Sequence, residues 1–251
     1  MPTVEAEAVV LRSYPLGEGD RLVCFLSREN GKVRGVARGA RLPKSRFGSC
    51  LEIASHIRIW YYERETRDLV RINQCELVES FLDVQGDYQK GVGLALICEV
   101  TDFVLPEREP AGAHFRLVSL ASRSIRQQND AWVSLAYFSL WTLRLAGWLP
   151  SLEQCGRCGQ GLGGMEAFVA VGHGALLCVN CRLPGAKAVS RPAVELASLL
   201  LHHKLADVDP KGSESAAARE LTPILLDWIE LHVEKKLNSR RMLEEGVEPR
   251  N

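Results

Sequence analysis

Along the first 80 residues the apolar positions fall into short runs separated by turn residues, the spacing of strands. Val4 to Tyr14 is one run, and Arg21 to Ser27 is a second, carrying Leu22, Val23, Cys24, Phe25 and Leu26. Asn30-Gly31 follows as a hairpin signal, because both turn positions favour a positive φ. Lys32 to Gly39 is the return strand. Leu51 to Tyr62 alternates, with Ile53, Ser55, Ile57, Ile59 and Tyr61 on one face and His56, Arg58, Trp60 and Tyr62 on the other. Glu63 to Asp68 is a polar turn, and Leu69 to Leu77 is a fifth strand. Five short strands in this span predict a small closed barrel.

From Ser80 onward the apolar period becomes helical. Tyr88 to Leu105 and Phe115 to Gln127 are two helices, and Asn129 or Asp130 caps a third, Ala131 to Ala146, closed by Gly147. That third helix is apolar all round, with Trp132, Leu135, Phe138, Trp141 and Leu145 joined by Val133, Tyr137, Leu140 and Leu143. Such a helix belongs inside a bundle. Ser134, Ser139, Thr142 and Arg144 argue against a membrane span there. Ser190-Arg191-Pro192 starts a further helix to about Lys204, Asp207 to Ser215 is a loop, and Thr222-Pro223 opens the last helix, running to about Asn238. The tail from Met242 to Asn251 lacks a core pattern and is expected to fray. The fold class is therefore α+β: a β-barrel over residues 1–80, then a helical domain over 81–251.

Composition adds two exclusions. The chain has 251 residues, 46% hydrophobic and 25% charged, with 31 cations and 31 anions and no net charge. It is an ordinary globular chain, not a disordered or histone-like one, so any polyanion site must be local. With an acidic start that lacks a basic and apolar leader, the eight cysteines are expected in the cytosol, the paired ones as metal or redox groups. Cys24, Cys50, Cys75 and Cys98 are scattered and expected to be buried small hydrophobes.

The other four are Cys155-Gly156-Arg157-Cys158 and Cys178-Val179-Asn180-Cys181, two Cys-x-x-Cys pairs nineteen residues apart. Four thiolates in a tetrahedron form a closed structural zinc site, one ion per chain. Phe168 to Val171 and Ala175 to Cys178 are expected to pair across Gly172-His173-Gly174, making a zinc ribbon over about 151–185. A redox motif would need a βαβ context, which is absent. A zinc hydrolase or deaminase would need an open metal position and a general base; His173-Gly174-Ala175 stands where a His-x-Glu is required. Gly159-Gln160-Gly161-Leu162-Gly163-Gly164 fits a dinucleotide fingerprint in spelling, but no strand precedes it and no helix follows.

Charge placement is the second signal. From Arg28 to Arg46, seven cations stand against Glu29 alone, a local excess of +6 in a neutral chain. Lys32, Arg34 and Arg38 share strand parity, and Arg41, Lys44 and Arg46 follow in a loop without acids. A charged edge that blocks aggregation is one reading. A phosphate-binding strip on the strand 2–3 face, where oligonucleotide-binding barrels grip single strands, is the other and is preferred. Six phosphate contacts to a single strand give a log–log salt slope of about −4. Tyr14, Phe47, Trp60 and Tyr62 lie nearby, as stacking residues or as packing.

Ordered pieces of the chain resemble the bacterial RecO family of recombination mediators. They are Val9-Val10-Leu11-Arg12-Ser13-Tyr14; Gly17-Glu18-Gly19-Asp20-Arg21-Leu22; Gly31-Lys32-Val33-Arg34-Gly35-Val36-Ala37-Arg38-Gly39-Ala40-Arg41; and Ser45-Arg46-Phe47-Gly48. Leu145-Ala146-Gly147-Trp148-Leu149-Pro150, Cys155 to Gly159 and Leu237-Asn238-Ser239-Arg240-Arg241 complete the set. The four cysteines match the zinc-bearing branch. The resemblance implies an N-terminal OB-fold, a helical domain carrying the ribbon, and a non-catalytic, cytoplasmic, nucleoid-associated protein. Such proteins bind single- and double-stranded DNA, anneal strands, and with RecR help load RecA onto strands coated by single-stranded DNA-binding protein. They also hold that protein's acidic, apolar-ended C-terminal tail through the helical domain. An adaptor that touches no DNA is the rival reading.

Overall fold

A computed structural model of the chain describes residues 3–63, 68–84, 86–163, 165–170, 172–208 and 213–246. Most of the turn expected at Glu63 to Asp68, Val171 of the expected hairpin, Gly164, part of the loop between Asp207 and Ser215, and the last five residues of the tail lie outside the described residues. Two compact units emerge, Met1–Ser122 with Arg241–Asn251, and Arg123–Arg240.

In the first unit β1 (Thr3–Leu16), β2 (Asp20–Ser27), β3 (Gly31–Ala37), β4 (His56–Tyr62) and β5 (Val70–Glu79) close into a barrel in the order β1-β2-β3-β5-β4. β3 and β5 run parallel, and β4 closes antiparallel on β1. This is the OB-fold, and alternation builds it: Ala8, Val10, Val23, Phe25, Val33, Ile57, Ile59, Tyr61, Val70 and Ile72 point inward and are nearly free of solvent. The pairing register slips by one residue between Val10 and Arg12. The slip exchanges the faces of β1, so that Arg12, Tyr14 and Leu16 project outward beyond it.

Two strand expectations need correction. β4 begins at His56 rather than Leu51. Ala54 is left-handed at φ 65° and donates to Val10 O at 2.9 Å, while Val10 N donates to Ser55 O at 3.0 Å. The pleat is broken there, and Ile53 faces solvent. In the β2–β3 hairpin only Gly31 has a positive φ, 66°, and the turn is Arg28-Glu29-Asn30. Here the glycine is needed for space as well, because a Cβ on Gly31 would stand 1.7 Å from Glu109 O.

The barrel is followed by α1 (Tyr88–Val104), capped by the Asp87 carboxylate accepting from Lys90 N, and by α2 (Gly112–Gln127). In the second unit α3 (Trp132–Leu145) is buried on nearly every side, as its pattern predicts. α4 (Arg191–His202) is capped by Ser190 with Pro192 in its first turn. α5 (Ser213–Val233) differs from expectation: it starts ten residues before Pro223, which lies inside it. Proline there removes one backbone donor. Ala216 to Ala218 extend the helix backward, and the Thr222 hydroxyl bonds Ala218 O at 2.7 Å within it. α6 (Asn238–Glu245), most of which belongs to the first unit, carries helix into the tail that was expected to fray, with Leu243 buried. A small ribbon, β6 (Ala167–Val169) with β7 (Lys187–Val189), completes the second unit. Among the described residues no helix is long and apolar enough to cross a membrane.

Candidate nucleic-acid interface and metal centre

Lys32 and Arg34 both project from the outer face of β3, but their charges are already engaged. Lys32 is buried; its Nζ lies 3.3 Å from Asp102 Oδ1 and also bonds the Asp102 carbonyl. Arg34 Nε stands 2.6 Å from Glu107 Oε1. The cause is the chain after β5. α1 brings Asp102 onto this face, and the segment behind it bridges Lys32 beside Glu107, with Arg108 N donating to Lys32 O at 2.9 Å. The expectation that Lys32 offers its charge to solvent is therefore corrected. Asp102 also accepts from Arg12 Nε at 2.7 Å and from the Cys24 thiol at 3.4 Å. Burial and the adjacent carboxylate push the Cys24 thiol well above its ordinary range.

Beyond Ala37 the arrangement changes. Arg38, Arg41, Lys44 and Arg46 are all exposed and have no carboxylate partner among the described residues. Their loop is nonetheless pinned. Gly39 N donates to Asp20 Oδ1 at 2.8 Å, Arg41 N to Gly19 O at 2.9 Å, and the Arg41 guanidinium to Gly17 O at 3.0 Å. Leu42 N and Ser45 N close successive turns onto Gly39 O and Leu42 O. Phe47 is in the barrel core, which removes it from the stacking candidates, and Arg46 lies 5.3 Å over its ring. Four cations thus stand on a fixed loop beside the β1–β2 turn.

The cross-strand register also places Tyr14 opposite Leu22, Leu22 opposite Val36, Val36 opposite Arg71, and Arg71 opposite Tyr62. All five face outward. Arg71 is an exposed cation that sequence reasoning did not single out. Its position between Val70 and Ile72, both core, marks an outward side chain, but the parallel β3–β5 pairing that brings it beside Val36 has no local signature.

The four cysteine sulfurs of Cys155, Cys158, Cys178 and Cys181 all lie within 4.8 Å of one another. Cys158 Sγ and Cys178 Sγ are 3.8 Å apart. A tetrahedron with metal–sulfur bonds of about 2.3 Å has edges of about 3.8 Å, whereas a disulfide needs about 2.05 Å. The donor set is thus compatible with zinc. Gly156 N donates to Leu176 O at 2.8 Å, tying the first knuckle to the second, and a Cβ on Gly156 would meet the Ala175 Cβ at 2.5 Å. The Cys155 thiol is lowered to about 6, first by the backbone N–H of Cys178 and then by those of Cys158 and Arg157, against the effect of burial. Cys181, facing the Cys158 thiol and then the other sulfurs, is pushed up to about 12. Phe168 exchanges both backbone bonds with Leu177 at 2.9 Å, but as an isolated bridge: the strand paired with β6 is β7, not the expected Ala175 to Cys178. His173 is not among the clustered ligand atoms, and its backbone carbonyl accepts from Trp228 Nε1 at 3.2 Å.

The same unit holds an apolar groove of about 560 Å³ lined by Leu149, Leu152, Leu162, Met165, Val194 and Leu201, with Arg191 at its side.

Comparison with known proteins finds matches over nearly the whole length. Residues 1–81 match the family model described as Recombination protein O N terminal, and residues 85–241 match Recombination protein O C terminal. The chain is 35% identical to the DNA repair protein RecO of Koribacter versatilis over 240 residues, 96% of this chain and 98% of that one. It is 33% identical to that of Bifidobacterium adolescentis over 248 residues, 97% and 100% of the two chains, and 34% identical to that of a Nocardioides species over 242 residues, 95% and 98%.

Proposed function

Because the chain belongs to the RecO family of DNA repair proteins, we propose that it is a non-catalytic mediator that holds DNA by its backbone through the loop after β3. The observation that carries this is the set Arg38, Arg41, Lys44 and Arg46, exposed and without carboxylate partners on a loop fixed by backbone bonds. A mediator must hold strands without reading sequence, and phosphate contacts do that. Lys32 and Arg34, engaged by Asp102 and Glu107, have a lesser share than their sequence position suggests.

The wider role follows from the family: annealing of complementary strands and, with RecR, loading of RecA onto strands coated by single-stranded DNA-binding protein, in the cytoplasm at the nucleoid. The groove has an apolar lining that suits the apolar end of that protein's tail, while Arg191 at its side is paired with Glu195 at 2.7 Å and Glu153 also lines it. The cysteine cluster takes one zinc ion as a structural centre, since four thiolates leave no open coordination position.

The test is a salt-titrated binding isotherm with single-stranded oligonucleotide. Four contacts give a log–log slope of about −3. Replacing Arg38, Arg41 and Lys44 together with Ala is expected to bring the slope to about −1. Unchanged affinity and slope would remove the loop from the site. No binding by the native chain at low salt would favour the adaptor reading instead.

A further inference from the structure

The barrel carries a second feature beside the basic loop. We propose that the outward row Tyr14–Leu22–Val36, bounded by Arg71, is a platform for unpaired nucleobases, with Tyr14 as the stacking residue. This rests on the reading of the loop as a phosphate track and adds how the same site distinguishes single strands from duplex.

Tyr14 is 47% exposed, yet its ring is not free to wander. Its hydroxyl accepts from Arg12 at 2.8 Å. Arg12 is in turn held by Asp102 at 2.7 Å and lies 4.8 Å over the Phe103 ring. An exposed aromatic tethered through Arg12 to a partly buried carboxylate is pre-organised, so a base stacking on it orders little that is not already ordered. Leu22 and Val36 are half-buried and continue the surface as an apolar floor. Arg71 stands at the far edge, exposed and with no carboxylate partner among the described residues. Three strand spacings separate β1 from β5, about 14 Å. Leu42 packs over Gly19 at the other end, its Cδ2 3.6 Å from where a Cβ would stand. The platform therefore runs into the basic loop.

Toward the hairpin the β2–β3 outer face is largely covered, and its exposed cation, Arg34, is paired with Glu107. Cys24, Leu26 and Lys32 are buried, with Asp102 over Cys24 and Lys32. Among the described residues, this end combines an exposed ring with apolar neighbours and unpaired cations. It offers an aromatic face and apolar contact with cations on both sides, which suits a strand whose bases are unstacked. A duplex presents phosphates to the loop but keeps its base faces to itself.

The experiment compares Tyr14→Ala, Tyr14→Phe and Arg71→Ala with the native chain. The probes are a single-stranded oligonucleotide carrying 2-aminopurine and a blunt duplex of the same sequence. Tyr14→Ala is expected to weaken single-strand binding by about 5- to 150-fold, the range of one lost base stack, and to leave duplex binding within about twofold. It should also abolish the fluorescence change of 2-aminopurine on binding. Tyr14→Phe keeps the ring and should retain most of both. Arg71→Ala should reduce the magnitude of the single-strand salt slope by about 0.7. Thermal unfolding checks that each variant is folded. Equal effects of Tyr14→Ala on both forms, or none on either, overturn the platform while the loop reading stands on its own triple substitution. Failure of the native chain to bind either form overturns both.

Discussion

Arg34 and Glu107 meet across the outer face of the barrel, Nε to Oε1 at 2.6 Å, with Arg34 on β3 and Glu107 just beyond α1. The pair is half-exposed, so its contribution to stability is small. Its effect is on the local field: the carboxylate cancels a cation that would otherwise extend the phosphate track. Glu107→Gln is expected to raise single-strand affinity about 2- to 5-fold at low salt and to steepen the salt slope by about 0.7. Arg34→Ala should change either quantity less than Arg41→Ala does. Fluorescence anisotropy across a salt series measures both.

Asp102 holds three groups at once, Arg12, Lys32 and the Cys24 thiol. Asp102→Asn leaves two poorly solvated cations facing an amide. The expected loss is about 3 kcal/mol, at the lower end for breaking a buried pair because solvent still reaches part of the cluster. That corresponds to roughly 6–12 °C in the thermal midpoint. Adding Lys32→Met should recover part of the loss, and a strictly additive double mutant would refute the coupling.

Purified protein is expected to carry one zinc ion per chain by elemental analysis. Cys178→Ser should remove it and lower the thermal midpoint, because Cys178 is buried among the other sulfurs. No residue of the loop from Arg38 to Arg46 belongs to the cluster, so the salt slope of DNA binding should survive the substitution.

Gly31→Ala is a sharp test of the hairpin. The new methyl would enter the Glu109 carbonyl at 1.7 Å in a left-handed conformation, φ 66°. A backbone shift and a strained residue together should cost about 2 kcal/mol or more. A fully stable variant by denaturant unfolding would mean that residues 107–109 do not run beside β3.

His114 in α2 has its Nε2 buried without a hydrogen-bond partner among the described residues, and burial holds its pKa below the ordinary 6.5. The unfolded chain then takes up the proton first as pH falls. Stability is full above about pH 6.5 and declines as pH drops toward the folded-state value. Between pH 7.5 and 5.5, His114→Gln should lose less thermal stability than the native chain.

What could be read along the chain was what repeats locally. The inward sets of β2 and β3 follow from period two, α3 follows from its unbroken apolar surface, and the cysteine spacing alone picks out the four sulfurs that cluster. Local rules misled where one residue overrode them. Ala54 takes a left-handed turn inside an alternating run, and Pro223 sits in a helix that its neighbours already support.

The basic strip shows the deeper division. Seven cations against Glu29 between Arg28 and Arg46 are a property of the sequence, and so is the parity that sends Lys32 and Arg34 to one face. Which of them keep a free charge is decided by Glu7 on β1, which pairs Arg28, and by Asp102 and Glu107, some seventy residues beyond Lys32 and Arg34, while a parallel β3–β5 pairing sets a further cation, Arg71, beside Val36. Burial and neutralisation depend on what lies across space, whereas periodicity depends only on what lies next along the chain.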